Sequence, residues 1–329
     1  GPAPCAATAL APFAGGVYAL DETTLDRVAR LLPALRGLPA GAAALLPGKL
    51  AGLFDLRRQQ WARVEYQADP QQNEKVAARD MVAELPPGSL ILADLGYFGF
   101  QWFDDLTDAL HWWVSRLRGK TSHTIIHIHY HRGDTLDALV WLGAHRADRA
   151  KHAVRLVQFA HRGVLRRYVT NVLDPQTLPM ADLARLYARR WDIELAFNLA
   201  KTHLGLHLLW GAKPVVVLQQ VWAVFTIAQV LQALRLAIAG KAGVDPYEVS
   251  LPLLVEYLPF FAARGLDPVQ VVVEQGRALR LIRPSSRTVV AAPDLPPEEV
   301  VPRPPALALT RPPRYAQRHC GPRPAAVPA

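Results

Sequence analysis

Tyr187, Arg190, Glu194 and Lys201 follow one another as Tyr-x2-Arg-x3-Glu-x6-Lys. At about 100° of helical turn per residue they fall within an arc of about 60°. One helix stripe would thus carry a phenol, a guanidinium, a carboxylate and an ammonium. The carboxylate can hold a hard cation, and the three other groups can donate to phosphate oxygens, Arg as a bidentate fork and Lys as a point charge. Beside this stripe runs an apolar one, Leu186, Ile193, Phe197 and Leu204, the pattern of a helix packed on a core with its polar edge at a site. The plainer reading is a solvated face with an i,i+4 pair between Arg190 and Glu194.

Two further carboxylates stand at the ends of apolar runs. Gly16-Val17-Tyr18-Ala19-Leu20 leads into Asp21, and Ser89-Leu90-Ile91-Leu92-Ala93 leads into Asp94. Near-continuous apolar runs suit strands covered on both faces, and carboxylates at the ends of neighbouring central strands converge at one sheet edge. Glu22 and Asp26 lie close to Asp21, and either could take its place. Two Asp and one Glu from separate elements give the hard oxygen ligands that Mg²⁺ or Mn²⁺ prefers. A pair of such ions, about 3.5–4 Å apart, can activate a water or 3′ hydroxyl and stabilise the leaving oxygen of a phosphodiester. Taken singly, an Asp after a strand is more often a turn former.

The elements that would position these residues read as follows. Residues 52–58 and 60–67 alternate as an antiparallel pair, residues 73–85 read as a helix closed by Pro86-Pro87-Gly88, and residues 102–110 as a second helix. Strand with Asp, two strands, helix, strand with Asp, helix, and later a helix with Glu is the layout of a ribonuclease-H-like α/β domain: a mixed sheet flanked by helices. Its first part spans residues 1–110, with an extra helical connection over 25–47. Residues 111–174 are strand-like and read as a β-rich insertion before the last catalytic helix. The second part of the core, with the signature helix, spans 175–240, and a mostly helical extension spans 241–292. Of the chain's 28 prolines, 12 lie between 283 and 329, so the tail from 293 to 329 reads as extended or disordered.

The chain has 329 residues, of which 51% are hydrophobic, enough for a buried core. Its net charge is +9, with basic clusters at Arg116–Lys120, His145–Arg155 and Arg162–Arg167, which point to a polyanion, most simply nucleic acid. The two cysteines, Cys5 and Cys320, form neither a disulfide framework nor a paired metal motif. A reducing cytosol fits this usage; the localisation expected for a chain that also binds DNA is cytoplasmic, nucleoid-associated. No signal peptide opens the chain, and its first residue is Gly, as expected of a piece of a longer protein. Residues 214–239 are strongly apolar but interrupted by Gln219, Gln220, Gln229, Gln232 and Arg235, which favours a buried helix over a membrane span. His127, His129 and His131 alternate on one strand, and without a matching carboxylate or Cys they read as the polar side of a sheet rather than a zinc site.

With these residues in place, the chain resembles the bacterial cut-and-paste DDE transposases, specifically the insertion-sequence group with the Tyr-x2-Arg-x3-Glu-x6-Lys signature. The signature stretch runs from Leu186 to Phe197 and on to Lys201. Tyr168-Val169-Thr170-Asn171-Val172-Leu173 resembles the strand before it, and Leu92-Ala93-Asp94-Leu95-Gly96-Tyr97-Phe98 resembles the second Asp motif. The resemblance covers roughly residues 15–240. It implies that Asp21, Asp94 and Glu194 form the metal-binding catalytic triad, using two Mg²⁺ or Mn²⁺ ions, and that Tyr187, Arg190 and Lys201 hold transposon-end DNA. It further implies double-stranded DNA partners at transposon ends and target, cleavage and strand transfer, and a homodimer in the DNA complex. A tryptophan of the insertion, from Trp112, Trp113 and Trp141, would stack a flipped base. Two departures are visible. Leu95 stands where the family usually has Arg, and about twenty residues precede Asp21, too few for the family's N-terminal DNA-binding domain. A nuclease that does not join, or a decayed DNA-binding relic, are the alternatives.

Overall fold

The strand-forming apolar runs assemble into one mixed sheet with helices on both faces. The computed structural model describes residues 10–25, 48–70, 72–143, 148–209, 213–285, 287 and 289–315. Asp26, most of the 25–47 connection, residues 145–147 of one basic cluster, both cysteines and the tail beyond Tyr315 lie outside them.

The strands are β1 (Val17–Thr24), β2 (Lys49–Asp55), β3 (Gln60–Gln67), β4 (Leu90–Ala93), β5 (Trp112–Arg116), β6 (His123–Arg132), β7 (Thr135–Leu142), β8 (Val154–His161) and β9 (Val164–Thr170). They pair in the order β3-β2-β1-β4-β5-β9-β8-β7-β6. β1, β4 and β5 run parallel, and the remaining pairs are antiparallel. Helices α1 (Glu74–Ala83) and α2 (Phe100–Asp108) cover one face. Helices α3 (Met180–Ala188), α4 (Trp191–Asn198) and α5 (Pro214–Ala242) cover the other. Strand alternation sorts the side chains. Val17, Ala19, Leu90, Leu92 and Val114 pack towards α3–α5, while Leu20, Ile91, Ala93 and Trp113 pack towards α1 and α2.

Trp112–Arg116, placed with the insertion in the sequence reading, pairs parallel with β4 from Leu90↔Trp112 to Ala93↔Ser115 and so continues the parallel run β1, β4, β5. The remaining strands extend the same sheet, since β9 pairs with both β5 and β8. This extension is tied to the approach to α3 by Arg155 on β8. Its guanidinium donates to Asp137 on β7 at 2.7 and 2.6 Å and to the Leu178 carbonyl at 2.7 Å, and both charged side chains are fully buried.

The single signature helix expected from periodicity is three pieces. α3 ends at Ala188, the chain tightens through i→i−3 bonds from Arg189, Arg190 and Asp192, and α4 follows. Beyond α4, Leu199–His203 form a π-helical turn. The cause is tertiary. Asp192 is wholly buried and receives Arg189 at 2.8 Å and Gln59 at 3.1 Å, which pulls the joint out of α-helical register. Around the same joint Tyr247 donates to Gln59 at 2.5 Å and lies under the guanidiniums of Arg235 and Arg287, docking the C-terminal extension.

The 28-residue span Val215–Ala242 is long and apolar enough to cross a membrane by composition. Buried Gln220 and Arg235 interrupt it and donate to the Leu208 carbonyl and to Gln59 of the same chain, as in a helix packed on a protein core. Gly243, at φ 66°, ends it in the left-handed conformation. After α6 (Leu251–Ala263) and α7 (Pro268–Gln275), the Pro-rich segment runs extended across the sheet extension. The Val301 N–H donates to the His129 carbonyl on β6 while the Val301 carbonyl meets the His127 and His129 rings, and Leu309 to Arg314 bond to residues 149–153. Proline lacks the N–H for a ladder of its own, so this segment is held by single bonds and by Tyr315, which donates to Asp104 at 2.8 Å.

Candidate active site

Asp21 sits on β1 opposite Gly52 of β2, on the face that carries Val17 and Ala19. A Cβ at Gly52 would stand 2.8 Å from the Phe197 ring. The missing side chain thus lets Phe197 seat against the sheet, which brings Glu194, one turn earlier on α4, over β1. Arg190 joins the two. Its Nη2 donates to Glu194 Oε1 at 2.7 Å, and its Nη1 lies 3.9 Å from Asp21 Oδ2. Asp94 ends β4 at the start of the 3₁₀ turn Leu95–Tyr97, and its carboxylate caps nothing there. Its charge acts on both Asp21 and Arg190. Tyr187 donates to the carbonyl of Ala93, the residue before Asp94, at 3.3 Å. Lys201 donates to Thr23 Oγ1 at 3.1 Å and to the Thr24 carbonyl at 3.0 Å, just beyond Asp21. Tyr187, Arg190 and Lys201 therefore each reach a strand end that carries or adjoins an aspartate, and Glu194 is joined to them through Arg190.

Burial pushes the Asp21 carboxyl up to about 6, against the pull of the Glu22 amide and Arg190, and the charges of Glu194 and Asp94 push it further. Burial alone would lower the Arg190 guanidinium, but Tyr187, Asp94 and Glu194 outweigh it and hold it above its ordinary value. Three carboxylates thus share one buried cation. Among the described residues no three His, Cys, Asp or Glu side chains stand close enough together to hold a metal ion. Arg190 instead pairs with Glu194 and lies 3.9 Å from Asp21, with the Asp94 charge acting on it, and its Nε and Nη1 lack hydrogen-bond partners. By chemistry the three carboxylates are hard oxygen donors of the kind Mg²⁺ or Mn²⁺ prefers, though they stand too far apart to hold one in this arrangement.

Of the two neighbours that could take the place of Asp21, Asp26 lies outside the described residues. Glu22 points to the opposite face, where it pairs with Lys49 at 2.5 Å, so it does not face Glu194. Tyr187 is buried against Tyr168, with ring centroids 5.1 Å apart, and burial raises its hydroxyl further above its ordinary range. Its hydroxyl positions the Asp94 strand in this arrangement rather than reaching solvent.

The three tryptophans that the sequence placed in the insertion are all engaged. Trp113 stacks on Phe103 at 4.0 Å, Trp112 packs edge-on to Phe13, and Trp141 lies under Arg311 at 4.6 Å. Trp191, given no role by the sequence reading, exposes about half of its surface (54%), with the Arg190 guanidinium 5.5 Å from its ring. A large aromatic one residue after the signature Arg was the available signal. The alternation of His127, His129 and His131 is broken by two bulges in β6. His127 and His129 both approach the Val301 carbonyl, at 3.2 and 2.8 Å, and His131 is exposed.

The family described as Transposase DDE domain matches residues 48–230. That is more than half of the chain, and the chain belongs to this family. No curated protein matches it. Among solved structures it is similar to piggyBac transposase in a synaptic complex with hairpin DNA, at 8% identity and a TM-score of 0.44. The match covers 87% of this chain and 60% of that one.

Proposed function

We propose that the chain is a ribonuclease-H-like catalytic core of a DNA transposase that cleaves transposon ends and transfers them to target DNA, with Asp21, Asp94 and Glu194 as its triad. The gathering of these three carboxylates around Arg190, within a chain of the DDE family, carries the proposal. The order β3-β2-β1-β4-β5, with parallel β1, β4 and β5, supports the ribonuclease-H-like assignment. In this reading Asp21, Asp94 and Glu194 would hold Mg²⁺ or Mn²⁺. A metal bound there supplies Lewis-acid charge at the scissile phosphodiester. Arg190 and Lys201 neutralise phosphate oxygens that the carboxylates would repel, and Tyr187 fixes the strand that ends in Asp94. Double-stranded DNA is the partner, with a homodimer forming in the DNA complex of a cytoplasmic, nucleoid-associated protein.

The test is nicking of supercoiled plasmid with Mn²⁺. Glu194→Gln should abolish it while DNA binding persists, and retained nicking would sink the assignment. A strand-transfer assay with 3′-hydroxyl ends separates a transposase from a nuclease that cuts without joining. The position of Arg190 among the carboxylates favours a second reading, a DNA-binding relic in which the guanidinium permanently replaces the metal. Calorimetric titration with Mn²⁺ decides between them: heat of binding lost in Asp21→Asn supports the enzyme, and no heat in the wild-type chain supports the relic.

A further inference from the structure

On the α1–α2 face, next to the turn that begins at Asp94, lies a cleft of about 470 Å³. Four cations line it: Lys75 and Arg79 from α1, and Arg118 and Lys120 from the segment after β5, against one carboxylate, Asp148. Two of the cations grip the Asp94 turn itself. Arg118 donates to the Leu95 carbonyl at 3.1 Å, and Lys75 donates to the Phe98 carbonyl at 3.0 Å. Arg79 pairs with Asp105 at 3.5 Å with both side chains about half exposed, and Lys120 is exposed. The apolar wall includes Phe98, whose ring lies 5.5 Å from the Arg118 guanidinium. Two lining residues also carry buried polar atoms without a partner, the indole nitrogen of Trp102, a residue only 2% exposed, and the hydroxyl of Ser122.

A concave, cationic cleft with aromatic side chains and unspent donors matches the chemistry of a single nucleic-acid strand, whose phosphates meet the cations and whose bases meet the rings. A duplex offers a rigid convex cylinder and keeps its base faces stacked inside. We propose that this cleft binds one single strand of DNA, holding its phosphates as the strand runs past Asp94 from the candidate active site. The direction of the strand rests on the transposase reading; the chemistry of the cleft does not.

The experiment is fluorescence anisotropy on the full chain without divalent metal, using labelled oligothymidylate and a labelled duplex across a salt series. Arg79→Gln with Lys120→Gln removes two cations, one exposed and one in a half-exposed pair with Asp105, so the melting temperature should move by no more than about a degree or two. Single-strand affinity should fall by at least about tenfold near 100 mM salt, and the log–log salt slope should shrink by roughly 1.4, since each phosphate contact on a single strand contributes about 0.7. Duplex affinity should fall by less. Arg79→Lys with Lys120→Arg should bind as the wild type does, which a lost fold would not allow. Equal weakening for single strand and duplex, or no weakening at all, overturns the proposal. Plasmid nicking by the wild-type chain is scored separately. Nicking with unchanged oligonucleotide binding in the double variant removes the cleft alone, whereas selective weakening without nicking removes the transposase reading and leaves the cleft.

Discussion

Replacing Asp21 by Asn should stabilise the metal-free protein above about pH 6. The folded chain holds the Asp21 proton up to about 6, against an ordinary value of 3.8. It therefore binds that proton more tightly than the unfolded chain does, and stability falls as pH rises through this window. At about 1.4 kcal/mol per pH unit, the full loss is ~3 kcal/mol above pH 6. Asn keeps the acceptor for the Glu22 amide, now 2.9 Å from Oδ1, and the attraction of the charged carboxylate to Arg190 across 3.9 Å is already contained in the value of about 6. The net gain is thus up to about 3 kcal/mol, or roughly 4 °C at most in melting temperature for a chain of this size. The assay is urea and thermal unfolding followed by the fluorescence of the eight tryptophans, from pH 4.5 to 8 with chelator present. The wild-type midpoint should drop between pH 4 and 6 relative to the variant, and the two should run parallel above. If Asp21→Asn melts at or below the wild type at pH 7.5, or shows the same pH slope, the buried negative charge inferred here is not there. Adding Mn²⁺ should raise the melting temperature of the wild type and leave the variant where it was.

Three other outcomes follow from single contacts. Asp137→Ala strands the fully buried Arg155 and should cost about 3–5 kcal/mol in urea unfolding, with Arg155→Met on the same background recovering part of it. Gly52→Val forces the Phe197 ring away from the sheet; it should cost about 1–3 kcal/mol and depress plasmid nicking more than the folded fraction explains. Trp191→Ala removes an exposed ring and should change stability by less than about 0.5 kcal/mol. It should also weaken DNA-end binding by about 1–3 kcal/mol in a gel-shift titration, the worth of a stacked base; unchanged binding would remove Trp191 from the DNA surface.

Much of the strand pattern was legible because strands covered on both faces leave near-continuous apolar runs, and the two aspartates could be placed because each closes such a run. Pairing was not legible. Trp113 and Val114 alternate alike whether β5 joins β4 in parallel or opens an antiparallel insertion, and only the register Leu90↔Trp112 decides it. The break at Arg189–Arg190 was hidden for a related reason. Every residue there tolerates an α-helix, and the disruption comes from Gln59, 133 positions away, meeting a buried Asp192. α7 lacked a long period, although Asp267 as N-cap and Pro268 in the first turn mark its start. The path of the Pro-rich segment depends on His129 and Asp104, which local composition does not contain.

The joint at Arg189–Arg190 links these points to the site. A continuous helix would spread Tyr187 through Lys201 along one straight stripe. The tightened joint and the π turn instead let Tyr187 reach the Ala93 carbonyl, Arg190 lie between Asp21 and Glu194, and Lys201 reach the end of β1. A cation that binds the three carboxylates must compete with the Arg190 guanidinium, whose bond to Glu194 is the shortest polar contact in the group. Arg190→Gln should therefore tighten Mn²⁺ binding in calorimetry while weakening DNA binding, because one side chain neutralises the carboxylates without metal and phosphates with it. If Mn²⁺ binding weakens in that variant, Arg190 is building the metal site rather than competing for it.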